Sequence, residues 1–208
     1  MQTNLSTLSP RRQRNRQAMI DSILTTARAI MRENGVAALS MQELARRMEM
    51  RAPSLYNYFT GLLDIYDALF RLGFTLWDEQ LERFTAGAQT WQEEVGRFLE
   101  AYMTFALHNP ELYQLCFERP VPGFVPSEAS LQLSFSILGS AYQRAQTLFD
   151  PAQTGLPAEQ TVDLVIAIAH GLTAQHLANQ PHLPMGQGRF GSLIPPVIAM
   201  LEKAWTKA

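Results

Sequence analysis

Apolar residues along the chain recur at three- and four-residue intervals, the spacing of helices with one buried face. Ile20, Ile23, Leu24, Ala27, Ile30 and Met31 form the first such stripe, and Gly35 is placed to stop that helix as a left-handed C-cap. Ser40-Met41-Gln42-Glu43 reads as a capping box opening a short helix through Leu44, Ala45 and Met48. After a break at Glu49 to Arg51 comes Ala52-Pro53-Ser54-Leu55-Tyr56-Asn57-Tyr58-Phe59, where Pro53 suits a first helical turn. Thr60-Gly61 punctuates, and a long helix follows with Leu62, Ile65, Tyr66, Leu69, Leu72, Gly73 and Leu76 inward.

Further helices are expected near 90–108, 110–118, 128–149, 158–179 and 190–206, separated by proline-marked connections. Pro195 and Pro196 should kink or delay the last of them. Sustained period-two alternation is missing, so the pattern predicts an all-α chain of about nine helices. Residues 1–60 form an N-terminal three-helix unit with a basic arm over 1–16, and residues 61–208 form a larger helical body.

The 208 residues are 47% apolar and 17% charged, against roughly 25% charged in ordinary globular chains. A chain of this length and composition can bury a substantial core. Its single cysteine, Cys116, has Leu115 and Phe117 beside it and no adjacent cation, the setting of a buried, inert thiol. The net charge of −2 conceals a division. Residues 1–60 carry nine arginines against four acids, a balance of +5, while the remainder carries eight bases against fifteen acids, a balance of −7. Such a split points to a separate anion-facing segment. The N-terminus lacks the apolar stretch of a signal peptide. The uncharged run 164–188 contains His170, Gln175, His176, Asn179, Gln180 and Pro181, too polar for lipid. A soluble, cytoplasmic protein without membrane contact is expected.

Three short helices with excess positive charge, the second and third joined by a tight break, fit a helix-turn-helix. Leu55 and Phe59 would anchor the third helix, leaving Ser54, Tyr56, Asn57 and Tyr58 for base edges and phosphates. From Gly35 to Leu69, through Leu44-Ala45 and Ala52 to Phe59, the chain resembles the DNA-binding domain of TetR-type regulators. His108-Asn109-Pro110-Glu111-Leu112-Tyr113 and His170-Gly171-Leu172-Thr173-Ala174-Gln175 resemble one subclass of that family's C-terminal domains. The resemblance implies a homodimer that grips a partly palindromic double-stranded operator and releases it when a small molecule binds. Arg11, Arg12, Gln42, Arg51, Ala52, Ser54, Tyr56, Asn57 and Tyr58 are the expected DNA contacts. Two departures from the family pattern stand out: Glu49 stands where the turn usually carries glycine, and Leu62 and Leu63 stand where a lysine usually meets a phosphate.

Leu164 to Ala169 is apolar on every side of a helix, which suits pairing with a symmetry mate. Val162, Val165, Ile166, Ala169, Ile198 and Leu201 are the expected dimer contacts. Trp77, Met103, Phe105, His108, Tyr113, Phe117, Tyr142 and His170 are the candidates to line a largely apolar effector site. Enzyme signatures fail on context. Gly186-Gln187-Gly188-Arg189-Phe190-Gly191 is a GxGxxG string, but it follows a proline-rich loop rather than a strand. No Glu-x-x-His pair, nucleophile elbow or phosphate loop occurs, so neither catalysis nor a metal or cofactor is expected. The competing reading is a helical small-molecule-binding or enzymatic protein that has lost operator binding.

Overall fold

The computed structural model describes residues 9–205. Among them the fold is helical and has no strand. The head consists of α1 (Pro10–Asn34), a 3₁₀ turn (Val36–Ala38), α2 (Met41–Arg47) and α3 (Ala52–Leu55). α4 (Leu62–Thr85) leads into the body, followed by α5 (Trp91–His108) and α6 (Pro110–Tyr113), which runs into a π-helical stretch (Gln114–Glu118). α7 (Glu128–Leu148), α8 (Pro151–Thr154), α9 (Ala158–Asn179), α10 (Gly188–Gly191) and α11 (Ile194–Trp205) complete it.

The head packs as its stripe predicts: Ile23, Ala27, Ile30 and Met31 of α1 are buried with Leu44, Ala45, Leu55 and Phe59. Several local expectations are refined. α1 begins at Pro10, so residues 10–16 are its first turns rather than an arm, and residues 1–8 of the expected arm lie outside the described residues. Gly35 ends α1 at φ 91, ψ 154, a positive-φ conformation distinct from the left-handed helical one. Ser40 Oγ accepts from the Glu43 amide at 3.2 Å, but the Glu43 carboxylate turns to Arg46 and Arg47, so only half a capping box forms. α3 ends at Leu55, and a turn carries the chain on to Phe59, whose amide still donates to the Leu55 carbonyl.

In the body, α5 packs against α4, α9 and α11, and α7 packs against α4 and α9. Trp77 sits edge-on to Phe98, Tyr102, Phe105 and Phe117 in an aromatic interior. At Gly73, α4 meets the π-helical stretch so closely that a methyl group would lie 2.5 Å from Cys116 Sγ. Cys116 is buried, and burial pushes its thiol pKa well up.

The GxGxxG segment folds as packing. Residues 188–191 form a helical turn, and a methyl on Gly191 would meet the buried His176 ring at 3.1 Å. Pro195 and Pro196 fall in the first turn of α11, where missing amides cost least, so they delay the helix without kinking it. No helix among the described residues is long and apolar enough to cross a membrane.

Candidate DNA-facing surface and ligand cavity

Nine arginines in the first 60 residues divide into two groups by what they touch. Arg46 and Arg47 pair with Glu43, and Arg47 also reaches Glu33, tying α2 to α1. Hydrogen bonds from Arg46 and Arg47 hold the Glu43 carboxyl far below the usual range, at about 2. Arg28 and Arg32 turn inward to the body. Among the described residues no acid pairs with Arg11, Arg12, Arg14, Arg16 or Arg51. The first four occupy the opening turns of α1, and Arg51 is the N-cap of α3.

One of these cations, Arg16, braces the turn after α3. Arg16 Nη1 donates to the Asn57 carbonyl at 2.7 Å, and its guanidinium lies 5.3 Å from the centre of the Tyr58 ring. Arg16 therefore fixes the backbone of the segment that displays Tyr56 and Asn57, both exposed. Ser54, Ala52 and Tyr58 are half-buried beside them, and Gln42 is exposed in the first turn of α2. Glu49 takes φ 54, so the turn keeps a left-handed residue despite carrying a side chain. At the start of α4 Leu62 is half-buried and Leu63 is 52% exposed, and the Thr60 amide donates to Asp64 Oδ2 at 2.9 Å.

Head and body meet at a buried carboxylate. Glu111 of α6 accepts from Arg28 Nε at 2.7 Å and from Arg32 Nε at 2.5 Å. Arg28 also donates to Asn109 Oδ1, and Arg32 to the His108 carbonyl. Sequence reasoning did not find this joint. An acid as the one charged residue of the Pro110–Phe117 run was its one visible trace. Two residues on, the Tyr113 hydroxyl lies 3.2 Å from His170 Nδ1 of α9, as does that of Tyr102.

A cavity of about 290 Å³ opens between the second half of α4, the start of α5, α7 and α9. Its apolar wall includes Leu81, Phe98, Ile137, Leu148, Val162 and Ile166, and its polar groups include Asp78, Glu82 and Arg144. None of the eight residues expected to contact an effector lines it. Trp77, Phe105, Tyr113 and Phe117 fill the aromatic interior with one another and with their neighbours, and Met103 is buried away from the cavity lining. His108 is exposed at the end of α5, Tyr142 donates to Asp163 at 2.9 Å, and His170 is held by the two tyrosines. Trp77, Phe105 and Phe117 complete each other's packing, while Phe98 and Phe149 face the void among mostly aliphatic neighbours.

The residues expected at a dimer face divide by burial. Val165, Ala169 and Leu201 are buried within the protomer, Val162, Val165 and Ile166 line the cavity, and Ile198 packs half-buried on the core. α9 is apolar all round because one side packs inside its own subunit. Its outward apolar stripe is Leu164, Ala167 and Gly171, and α11 exposes Ala199 and Met200.

Comparison with known proteins places this geometry. Residues 23–69 match the family described as bacterial regulatory proteins, tetR family, and residues 95–190 match the tetracyclin repressor-like C-terminal domain. The uncharacterized HTH-type transcriptional regulator YobS of Bacillus subtilis (strain 168) is 32% identical over 93 residues, 44% of this chain and 48% of that protein. The chain thus spans about half the length of the curated relatives it matches. The crystal structure of the putative regulatory protein SCO4313 shares the fold at TM-score 0.73 and 22% identity, covering 91% of this chain and 97% of that one. FadR from Bacillus subtilis, solved in complex with stearoyl-CoA, superposes at TM-score 0.63 and 16% identity over 86% of this chain and 95% of that one. With a matching head and a matching body model that together span well over half its residues, the chain belongs to the TetR family of helix-turn-helix regulators.

Proposed function

We propose that this chain is a ligand-responsive transcription regulator, a repressor that holds a palindromic operator as a homodimer and leaves it when a small molecule occupies the body. The head is residues 1–60 and the body residues 61–208. The observation that carries the reading is the Ser54–Tyr58 segment, which exposes Tyr56 and Asn57, is braced by Arg16 and follows the N-cap Arg51, neither arginine having an acidic partner among the described residues. Asn57 is suited to a bidentate pair with adenine, and Tyr56, Ser54 and Tyr58 to phosphate or base edges. Arg11, Arg12, Arg51 and Gln42 supply the phosphate contacts, with Ala52 packed close to the backbone.

The body acts as sensor and pairing surface. Its cavity is mostly apolar with a few polar groups, as ligand sites are. A fold neighbour's structure with stearoyl-CoA supports a small-molecule site in this architecture. Pairing of the exposed stripes on α9 and α11 with their symmetry mates completes a four-helix isologous interface. The effector shifts the dimer only by binding the DNA-free arrangement more tightly than the DNA-bound one. The site of action is the cytoplasm.

A salt titration of the full chain against genomic fragments tests this reading. The expected result is a steep fall in affinity with salt and selection of a short inverted repeat. Weak binding with no preferred sequence would overturn it.

A further inference from the structure

The hydrogen-bonding character of the cavity is one-sided. Three hydroxyls line it, and each gives its proton to its own helix: Thr85 to the Leu81 carbonyl at 2.9 Å, Ser136 to Leu133 at 2.7 Å and Ser140 to Ser136 at 3.1 Å. A hydroxyl whose hydrogen is committed in this way can offer only lone pairs to a ligand.

The ionised groups point the same way. Arg144 is the one cation in the lining, and Glu94 neutralises it through a two-pronged contact, Nε to Oε1 at 2.6 Å and Nη2 to Oε2 at 2.8 Å. Asp78 and Glu82 stand one helical turn apart on α4, on the same face, and among the described residues no cation pairs with either. Desolvation, with Glu82 and Glu79 nearby, raises the Asp78 carboxyl pKa. The paired Glu94 and Arg144 cancel, so the cavity holds two uncompensated negative charges.

We propose that the cavity takes a protonated lipophilic amine, its apolar body against Phe98, Ile137 and Ile166 and its ammonium N–H groups directed to Asp78, Glu82 and the hydroxyl oxygens of Thr85, Ser136 and Ser140. The acceptor-only rim selects an N–H donor, and the unpaired carboxylates select positive charge. A carboxylate or phosphate ligand meets repulsion from Asp78 and Glu82 and must displace Glu94 to reach Arg144. The volume of about 290 Å³ sets the size at the small end of drug-like molecules. This assignment rests on the sensor reading above and gives its ligand a chemical class.

Calorimetric titration of the full chain at pH 7 with three probes of one shape tests it: 2-naphthylmethylamine, 2-naphthalenemethanol and 2-naphthylacetate. The amine is expected to bind about tenfold more tightly than the alcohol or the acid. In Asp78→Asn and Glu82→Gln that preference for the amine over the alcohol should fall severalfold, because each removes one negative charge with little change of shape. Equal or tighter binding of the alcohol or the acid would overturn the assignment, as would an amine preference unchanged in both variants or no amine binding at millimolar concentration. The regulator reading fails separately, on the salt titration, whichever probe the cavity accepts.

Discussion

Arg32 Nε of the head lies 2.5 Å from Glu111 Oε2 of the body, across a joint where the Glu111 side chain has no accessible surface. Arg28 closes the other carboxylate oxygen from one turn earlier on α1. Two cations thus compensate one buried anion, and all three side chains hold the helix-turn-helix head against the helical body.

Removing both arginines leaves that anion without compensation in the protein interior. Arg28→Ala combined with Arg32→Ala should lower stability by about 3–5 kcal/mol in urea denaturation. Glu111→Gln should cost less, because the arginines it leaves are partly exposed and can turn to water. A double variant within about 0.5 kcal/mol of the parent would show that the joint contributes only geometry.

Glu49 at φ 54 carries a strain that glycine does not. Glu49→Gly should raise stability by about 1 kcal/mol, a shift in melting temperature of about 2–4 °C for a chain of this size. Glu49→Ala keeps the Cβ and should bring no comparable gain. A lower melting temperature for the glycine variant would mean that the Glu49 side chain makes a stabilising contact.

Asn57 and Arg16 should fail differently on DNA. Asn57→Ala is expected to relax base preference at one position in each half-site, at a cost of about 1–3 kcal/mol. Arg16→Ala frees the Asn57 carbonyl and the Tyr58 ring together, so it should weaken binding to all sequences. Selection from a randomised operator library distinguishes the two. Uniform weakening by Asn57→Ala would reduce its side chain to a positioning role.

For pairing, the informative site is Ala167, exposed at the centre of the α9 stripe. Ala167→Glu should give a folded monomer by sedimentation, with the helical circular dichroism retained. A stable dimer after that change would place the interface elsewhere. Ile166 is less suited to this test, since it lines the cavity and a charge there would disturb the proposed ligand site as well.

The head was legible in the sequence because its logic is local. Ile23 to Met31 keep a helical period, Ser40 caps α2, and Leu55 and Phe59 anchor the short third helix. The cavity was not, because its lining comes from four helices that only the fold brings together. An aromatic such as Trp77 or Phe105 announces burial, and burial among other aromatics leaves no room for a ligand. Leu164 to Ala169 misled for a related reason. An apolar helix surface states that it is covered, and only the packing of α5 and α7 shows how much is covered from within. The Glu111 joint depends on side chains about 80 residues apart, and no short-range pattern records such a pairing.

The close crossing at Gly73 bears on the chain's single thiol. Cys116 Sγ fills the space that a methyl on the facing helix would occupy, so it serves as a spacer between two backbones. Oxidation would begin from the thiolate, which burial disfavours, and would add an oxygen atom where the neighbouring helix leaves no room for a carbon. Burial and the close crossing thus make Cys116 a packing residue poorly placed to react with an oxidant.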